Sequence, residues 1–217
     1  MMLGGGTPAG DICSSPMTFS WHMENTDVTL GTPSGCSVGN TTATFVSLGA
    51  LNTDLFYDGS TSLDIPTSGD FASFSVSSND IINPAAGTIS FWMYIDTAVA
   101  NLRPFSTGPD ADNFIRTFIT NTDEIRVNWS GNATVVYAVT TNANIPNTTW
   151  VNVIAKYTTA DVDPNLSIRV VGYGSEAISN DNPTAWVGTN TSMVVGNSGS
   201  AAGDFHIDNL QVYNSWL

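Results

Sequence analysis

The chain consists of short, strand-sized segments separated by turn-forming pairs, and no segment has a sustained helical period. The clearest segment is residues 88–95, where Ile89, Phe91, Met93 and Ile95 alternate with polar or aromatic neighbours. Strand side chains point alternately to opposite faces, so this pattern predicts a strand with one face in a core. Pairs of Asn, Asp, Ser, Pro and Gly between the segments are typical of tight turns. The sequence therefore predicts an all-β fold.

Similar segments recur along most of the chain, and we expect the first residues to be irregular. The sequence predicts an extended N-terminal arm over residues 1–16 and one domain over residues 17–217. The expected strands are 18–22, 44–48, 55–57, 62–65, 71–76, 88–95, 114–120, 124–129, 134–140, 150–157, 166–171, 193–195 and 205–213.

Acidic residues dominate the charge of the chain. The 217 residues include 19 acidic and only 5 basic side chains, which gives a net charge of −14. Nucleic acids and anionic membranes require a basic surface, so this balance excludes both as partners. It favours cations, neutral glycans or a basic protein surface. The apolar runs are strand-sized and too short to span a bilayer, so no membrane insertion is expected.

The two cysteines and the first residues bear on the cellular location. Cys13 and Cys36 flank a Pro- and Gly-containing segment and are predicted to form a disulfide, worth about 3 kcal/mol. Two buried free thiols are the alternative. Residues 1–6 lack the basic start and apolar core of a signal peptide. We expect a mature secreted chain, or one that leaves the cell by another route, such as on a virion surface.

The last strand contains a phase error that predicts a bulge. Phe205 and Ile207 alternate on one face, as do Leu210 and Val212, but the two pairs are out of phase by one residue. A β-bulge at residues 208–209 would restore the phase and redirect the Asp208 side chain.

Several motifs together resemble the laminin-G-like, concanavalin A-like lectin jelly rolls. They are FSWHMEN at 19–25, LFYDGS at 55–60, SLDIP at 62–66, GTISFWM at 87–93, WVNVIAKY at 150–157 and IDNLQVYN at 207–214. The resemblance covers roughly residues 17–217. It implies a jelly-roll sandwich of two antiparallel sheets of about six or seven strands each, and a module used for binding or adhesion.

The same resemblance implies one structural Ca²⁺ that ties the last strand to the first. Calcium takes six to eight oxygen ligands, usually including carboxylates. Glu24 and Asp208 are the pair carried over from the family, and Asn25, Asp27 or a carbonyl near Asp58 would complete the shell. Ordinary strand-end turn acids are the alternative. We expect His22 and His206 to form a packed or hydrogen-bonded pair and not a transition-metal site.

Four aromatic side chains are candidates for carbohydrate binding, because sugar rings pack their C–H faces on aromatic planes. Trp92 and Tyr94 lie on the face of strand 88–95 opposite its apolar residues. Trp129 precedes a Ser-Gly turn, and Trp186 lies in a loop rich in Pro, Asn and Gly. Packing in the core or under a loop is the alternative for each of them.

No catalytic set accompanies these residues, so we predict that the chain is not an enzyme. A glycosidase on this fold needs acids at two-residue spacing along one strand, and no Glu-x-Asp-x-x-Glu pattern is present. The leading hypothesis is a non-catalytic extracellular structural or adhesion module of an oligomeric surface assembly, such as a virion decoration or appendage protein. Its partners would be neighbouring subunits or glycans. The alternative is a secreted carbohydrate-binding lectin module, possibly part of a polysaccharide-degrading system, and a hydrolase or lyase is a third possibility.

Overall fold

The computed structural model of the protein consists of strands and connecting turns. It describes residues 17–21, 23, 27–30, 39–42, 44–46, 49–75, 82–97, 102–120, 124–139, 145–160, 164–181, 184, 186, 188, 192–196 and 203–217. No helix in these ranges is long and apolar enough to cross a membrane. The predicted arm (residues 1–16) and the predicted Cys13–Cys36 disulfide lie outside the described residues and stay predictions.

The described residues form strands β1 to β17. Their bounds are β1 Met17–Trp21, β2 Asp27–Leu30, β3 Gly39–Thr42, β4 Thr44–Val46, β5 Ala50–Asn52, β6 Ser62–Ile65, β7 Phe71–Ser75, β8 Ala86–Thr97, β9 Leu102–Thr107, β10 Phe114–Ile119, β11 Ile125–Gly131, β12 Thr134–Val139, β13 Val151–Thr158, β14 Leu166–Val170, β15 Tyr173–Ser179, β16 Ser192–Gly196 and β17 Asp204–Tyr213.

These strands build two antiparallel sheets, which confirms the predicted jelly-roll sandwich. One sheet has ten strands in the order β15-β14-β13-β8-β17-β1-β2-β3, with β6 pairing β17 and β5 pairing β6. The other has seven strands in the order β12-β11-β10-β9-β16-β7-β4. The first sheet is larger than the expected six or seven strands. Strands β2, β3, β5 and β15 of this sheet, and β9 of the other, were not predicted from the sequence.

The centre of the ten-stranded sheet follows the predicted alternation. In β8, Ile89, Phe91 and Met93 are buried in the core between the sheets, whereas Trp92 and Tyr94 are only half-buried. The neighbours β13 and β17 repeat this pattern and pair with β8 over most of its length. In each of these strands, every second side chain therefore packs into the core. The side chains between them cover the face turned away from the seven-stranded sheet, which we call the outer face.

The predicted bulge in the last strand is confirmed. Asp208 pairs with Trp92 and Gln211 pairs with Ser90, so a step of three residues along β17 matches a step of two residues along β8. Asn209 has a φ of 48°, a left-handed conformation that Asn tolerates better than most residues. The extra residue restores the phase, because Phe205, Ile207, Leu210 and Val212 are all fully buried.

Candidate binding site

Four aromatic side chains meet on the outer face of the ten-stranded sheet, and we call them the aromatic patch: Tyr57, Trp92, Tyr94 and Trp150. Tyr57 stacks on Trp92 with ring centroids 3.5 Å apart and an angle of 13° between the planes. Trp150 lies edge-on to Tyr57, at 6.1 Å, and tilted to Tyr94, at 5.6 Å. Trp92 and Tyr94, predicted from their phase in β8, therefore do come together.

Tyr57 reaches the patch from a loop and not from a strand. Residues 55–57 were expected to form a strand, but they bend over the sheet between β5 and β6. Phe56 and Tyr57 on this loop are 40% and 43% exposed. The apolar composition of the segment suggested a strand, whereas its side chains cover the outer face. The loop thus adds exposed aromatic surface to the half-buried rings of β8.

Asp208 holds this loop in place. The backbone N–H groups of Tyr57 and Asp58 donate to Asp208 Oδ2 at 2.9 and 3.0 Å, and the N–H of Asn209 donates to Oδ1 at 2.6 Å. The carboxylate is completely buried, and hydrogen bonds from N–H groups offset the cost of burying it. The bulge therefore directs Asp208 toward the loop that carries the exposed aromatic rings.

The predicted calcium site is described only in part. Glu24 and Asn25 lie outside the described residues. Asp208 is adjacent to the bulge, as expected, and β17 pairs with β1, the strand before Glu24. The bound Ca²⁺ stays a prediction, and the three N–H donors already use much of the acceptor capacity of Asp208.

Trp129 and Trp186 have a packing role that differs from the predicted sugar-stacking role. Trp129 is fully buried and Trp186 is 8% exposed. Their rings stack with centroids 4.8 Å apart, and Trp129 also contacts Tyr157 at 4.7 Å. Trp129 Nε1 donates to the carbonyl of Thr184 at 2.9 Å. These contacts fasten Thr184 and Trp186 to the core and, in this conformation, the stacked pair offers no ring face to a ligand.

A group of acids surrounds His206 next to the aromatic patch, and we call Asp64, Asp96, Asp204 and His206 the acidic cluster. His206 is buried, its Nε2 lies 3.0 Å from Asp96 Oδ2, and its ring is edge-on to Tyr94 at 6.0 Å. Burial raises the pKa of Asp204 above its ordinary value, and the charges of Asp96 and Asp64 raise it further. His206 offsets part of this effect. The predicted pairing with His22 lies outside the described residues.

The basic side chains on this face lie at its other end. Lys156 and Arg169 line a groove of about 260 Å³ together with Ser90, Gln211 and Tyr213. Lys156 also lies 5.8 Å from the ring centre of Trp216. The outer face therefore has an acidic, aromatic end and a basic end.

Sequence reasoning missed most of this site. Tyr57, Trp150 and the three aspartates of the acidic cluster were not predicted as site residues. Two signals were present in the sequence. Asp96 comes two residues after Tyr94 and four after Trp92, and Asp204, His206 and Asp208 are spaced two residues apart along β17. Period-two patterns of this kind place polar or aromatic side chains on one exposed face.

Two packed antiparallel sheets in a jelly roll are the architecture of lectin-like β-sandwich domains. Residues 67–217 match the family model of the concanavalin A-like lectin/glucanases superfamily. Since this match covers more than half of the chain, the protein belongs to that superfamily. No curated protein sequence matches the chain.

Solved structures with the same fold include binding domains of botulinum neurotoxins. The serotype DC binding domain in complex with SialylT has a TM-score of 0.67, with 12% sequence identity over 94% of this chain. The serotype D ligand-binding domain in complex with N-acetylneuraminic acid has a TM-score of 0.68 at 11% identity over 93% of this chain. The DC domain in complex with rat synaptotagmin II has a TM-score of 0.69 at 13% identity over 93% of this chain. The chain spans 49%, 48% and 49% of those three chains. At these identities the likeness shows the fold.

Proposed function

We propose that the chain is a non-catalytic extracellular binding module whose ligand is a glycan that stacks on the aromatic patch. The observation that carries this proposal is the parallel Tyr57–Trp92 pair, in which Tyr57 stays 43% exposed on a loop fixed by Asp208. Rigid aromatic rings bind with little loss of conformational entropy, and the nearby carboxylates accept hydrogen bonds from sugar hydroxyls. The superfamily includes both lectins and glucanases, and the patch supplies binding surface to either.

The charge around the patch favours a neutral glycan. Asp58 follows Tyr57 on the loop, Asp96 follows Tyr94 in phase on β8, and Asp64 and Asp204 lie in the adjacent acidic cluster. Like charges repel an anionic ligand, and the chain as a whole carries a net charge of −14. We therefore expect sialylated or sulfated sugars to bind more weakly here than neutral ones, in contrast to the sialic acid bound by the serotype D toxin domain.

A glycan array followed by titration calorimetry tests this proposal. Tyr57→Ala and Trp92→Ala should each weaken binding of the strongest neutral array ligand by at least about tenfold, or ~1.4 kcal/mol. Tyr137→Ala is the matched control, because Tyr137 is 55% exposed on β12 of the other sheet. An array without signal from folded protein, or an equal loss in the control, would contradict the proposal.

A second candidate, a subunit of a surface assembly, is favoured by apolar side chains on two edge strands. β12 and β15 are terminal strands of the two sheets and contact each other. Val135 and Tyr137 on β12 are 49% and 55% exposed, and Ile178 on β15 is 58% exposed. Exposed edges and apolar patches are common sites of association between chains, here between copies of this chain.

Light scattering on concentrated protein tests this second candidate. We expect oligomers that dissociate in the double variant Val135→Lys/Ile178→Lys, because two added positive charges cannot be buried without partners. Deletion of residues 1–16 tests separately whether the predicted arm contributes. A wild type that remains monomeric at its solubility limit would rule out self-assembly through these strands.

A further inference from the structure

The acidic cluster has the composition and placement of a metal site. Asp204 and His206 alternate along β17, and Asp64 of β6 pairs directly with His206. One ligand atom from each of these three side chains lies within 4.8 Å of the other two. We propose that Asp64, Asp204 and His206 bind a divalent transition-metal ion of the Zn²⁺ class.

Oxygen atoms lie near both ring nitrogens of His206. Nε2 lies 3.0 Å from Asp96 Oδ2, so the tautomer with its proton on Nε2 donates to that carboxylate. Nδ1 lies 3.4 Å from Ser62 Oγ and 3.8 Å from Asp64 Oδ1. The Ser62 hydroxyl already donates its only proton to the carbonyl of Leu55 at 2.6 Å. In that tautomer the lone pair of Nδ1 lies on the side of Asp64 and is available to a metal ion.

Two further side chains hold the ligands in position. Asp96 accepts the Nε2 proton of His206, which leaves Nδ1 as the metal-binding atom. Asn52 donates to Asp64 Oδ2 at 3.4 Å, and the other oxygen of this carboxylate, Oδ1, lies 3.8 Å from His206 Nδ1. Hydrogen-bonded partners of this kind orient the ligands of natural metal sites and raise their basicity. Asp96 and Asn52 are therefore positioning residues.

The donor set selects the kind of metal. Ca²⁺ and Mg²⁺ prefer oxygen ligands throughout, whereas an imidazole nitrogen with carboxylates suits Zn²⁺ and related ions. Three protein ligands leave a coordination position open. This site shares no ligand with the predicted Ca²⁺ site at Glu24, Asn25 and Asp208, and it does not depend on glycan binding.

Titration of the metal-free full chain with Zn²⁺ tests the proposal, with calorimetry for affinity and Co²⁺ absorption for the ligand type. We expect one saturable equivalent, and a Co²⁺ spectrum without the thiolate charge-transfer band that binding by Cys13 and Cys36 would produce. Asp96→Asn should weaken Zn²⁺ binding by about 10–100-fold. Asp204→Asn and His206→Gln, which remove ligands, should weaken it further.

Asp181→Asn is the control, because Asp181 is an exposed acid whose side chain contacts Ser179. It should bind Zn²⁺ as the wild type does. Asp204 is half-buried, so Asp204→Asn decides the outcome if His206→Gln does not fold. Any one of three results would overturn the proposal: Zn²⁺ binding that does not saturate, a Co²⁺ spectrum that shows a thiolate band, or a Zn²⁺ affinity that is unchanged in Asp204→Asn.

Discussion

At the scale of single residues, Asp208 shows how one side chain links the fold to the candidate site. Its motif resembles the calcium-binding strand of laminin-G-like domains, and its carboxylate accepts backbone N–H groups from Tyr57 and Asp58, far away in sequence. A neutral amide cannot replace this carboxylate, because Asn has only one acceptor oxygen for the N–H groups that donate to both oxygens of Asp208. Asp208 thus fixes a loop whose exposed rings supply the proposed ligand contacts.

We predict that Asp208→Asn destabilises the protein by about 1–3 kcal/mol, the cost of leaving a buried donor without an acceptor. The change should also lower glycan affinity, since the loop carrying Tyr57 loses its anchor. Urea unfolding followed by tryptophan fluorescence measures the first effect, and calorimetry the second. Asp58→Asn is the control, because Asp58 is exposed and should change stability by less than about 0.5 kcal/mol. Equal stability of the two variants would refute this role of Asp208.

At the scale of strands, the pairing of β8 with β13 depends on a cross-strand contact between a glycine and a tyrosine. Gly87 pairs with Tyr157, whose ring is fully buried and whose hydroxyl donates to the carbonyl of Asn83 at 2.8 Å. A Cβ on Gly87 would clash with the Tyr157 hydroxyl oxygen. The absence of a side chain at Gly87 therefore makes room for the buried ring.

Gly87→Ala should destabilise the protein by about 1–3 kcal/mol, because overpacking forces the ring or the strand to shift. The same substitution in a Tyr157→Leu background should cost less, since leucine lacks the outer ring atoms. A double-mutant cycle by chemical denaturation measures this coupling. If Gly87→Ala costs the same in both backgrounds, the steric explanation is wrong.

The sequence predicted the strands whose pattern is local. The alternation of β8 and the bulge of β17 both depend on neighbouring residues, and both are confirmed. Strands β2 and β3 escaped prediction, because each has only four residues and β3 consists of Gly, Asn and Thr, which are also common in turns. Pairing to a distant strand determined their structure, and no local pattern reports it.

The candidate site was harder to predict, because its contacts join distant segments. Tyr57 and Trp92 are 35 positions apart, so their stacking depends on how the loop folds over the sheet. Residue type alone also could not distinguish the buried Trp129 from the exposed Tyr57. Trp129 ends an alternating strand and Tyr57 ends a continuous apolar run, but each directly precedes a Gly-containing turn, and only the packing of the folded chain separates their environments.

At the scale of the whole molecule, charge repulsion acts against the fold. With 19 acidic and 5 basic residues, the compact state brings many like charges together, and salt screens this repulsion. The Debye length falls from about 30 Å at 0.01 M to about 10 Å at 0.1 M ionic strength. Stability should therefore depend on ionic strength as well as on any specific ion.

We predict that raising NaCl from about 0.01 to 0.3 M increases the Tm by about 2–4 °C, the shift that ~1 kcal/mol causes in a chain of this length. Scanning fluorimetry in metal-free buffer measures this change in Tm.

Replacing NaCl with CaCl₂ or MgCl₂ at constant ionic strength then separates charge screening from specific ion binding. A further rise with Ca²⁺ alone, lost in Asp208→Asn, would support the predicted Ca²⁺ site at Glu24, Asn25 and Asp208. Identical Tm values with all three salts would argue against that site, and a Tm independent of NaCl would argue against charge repulsion.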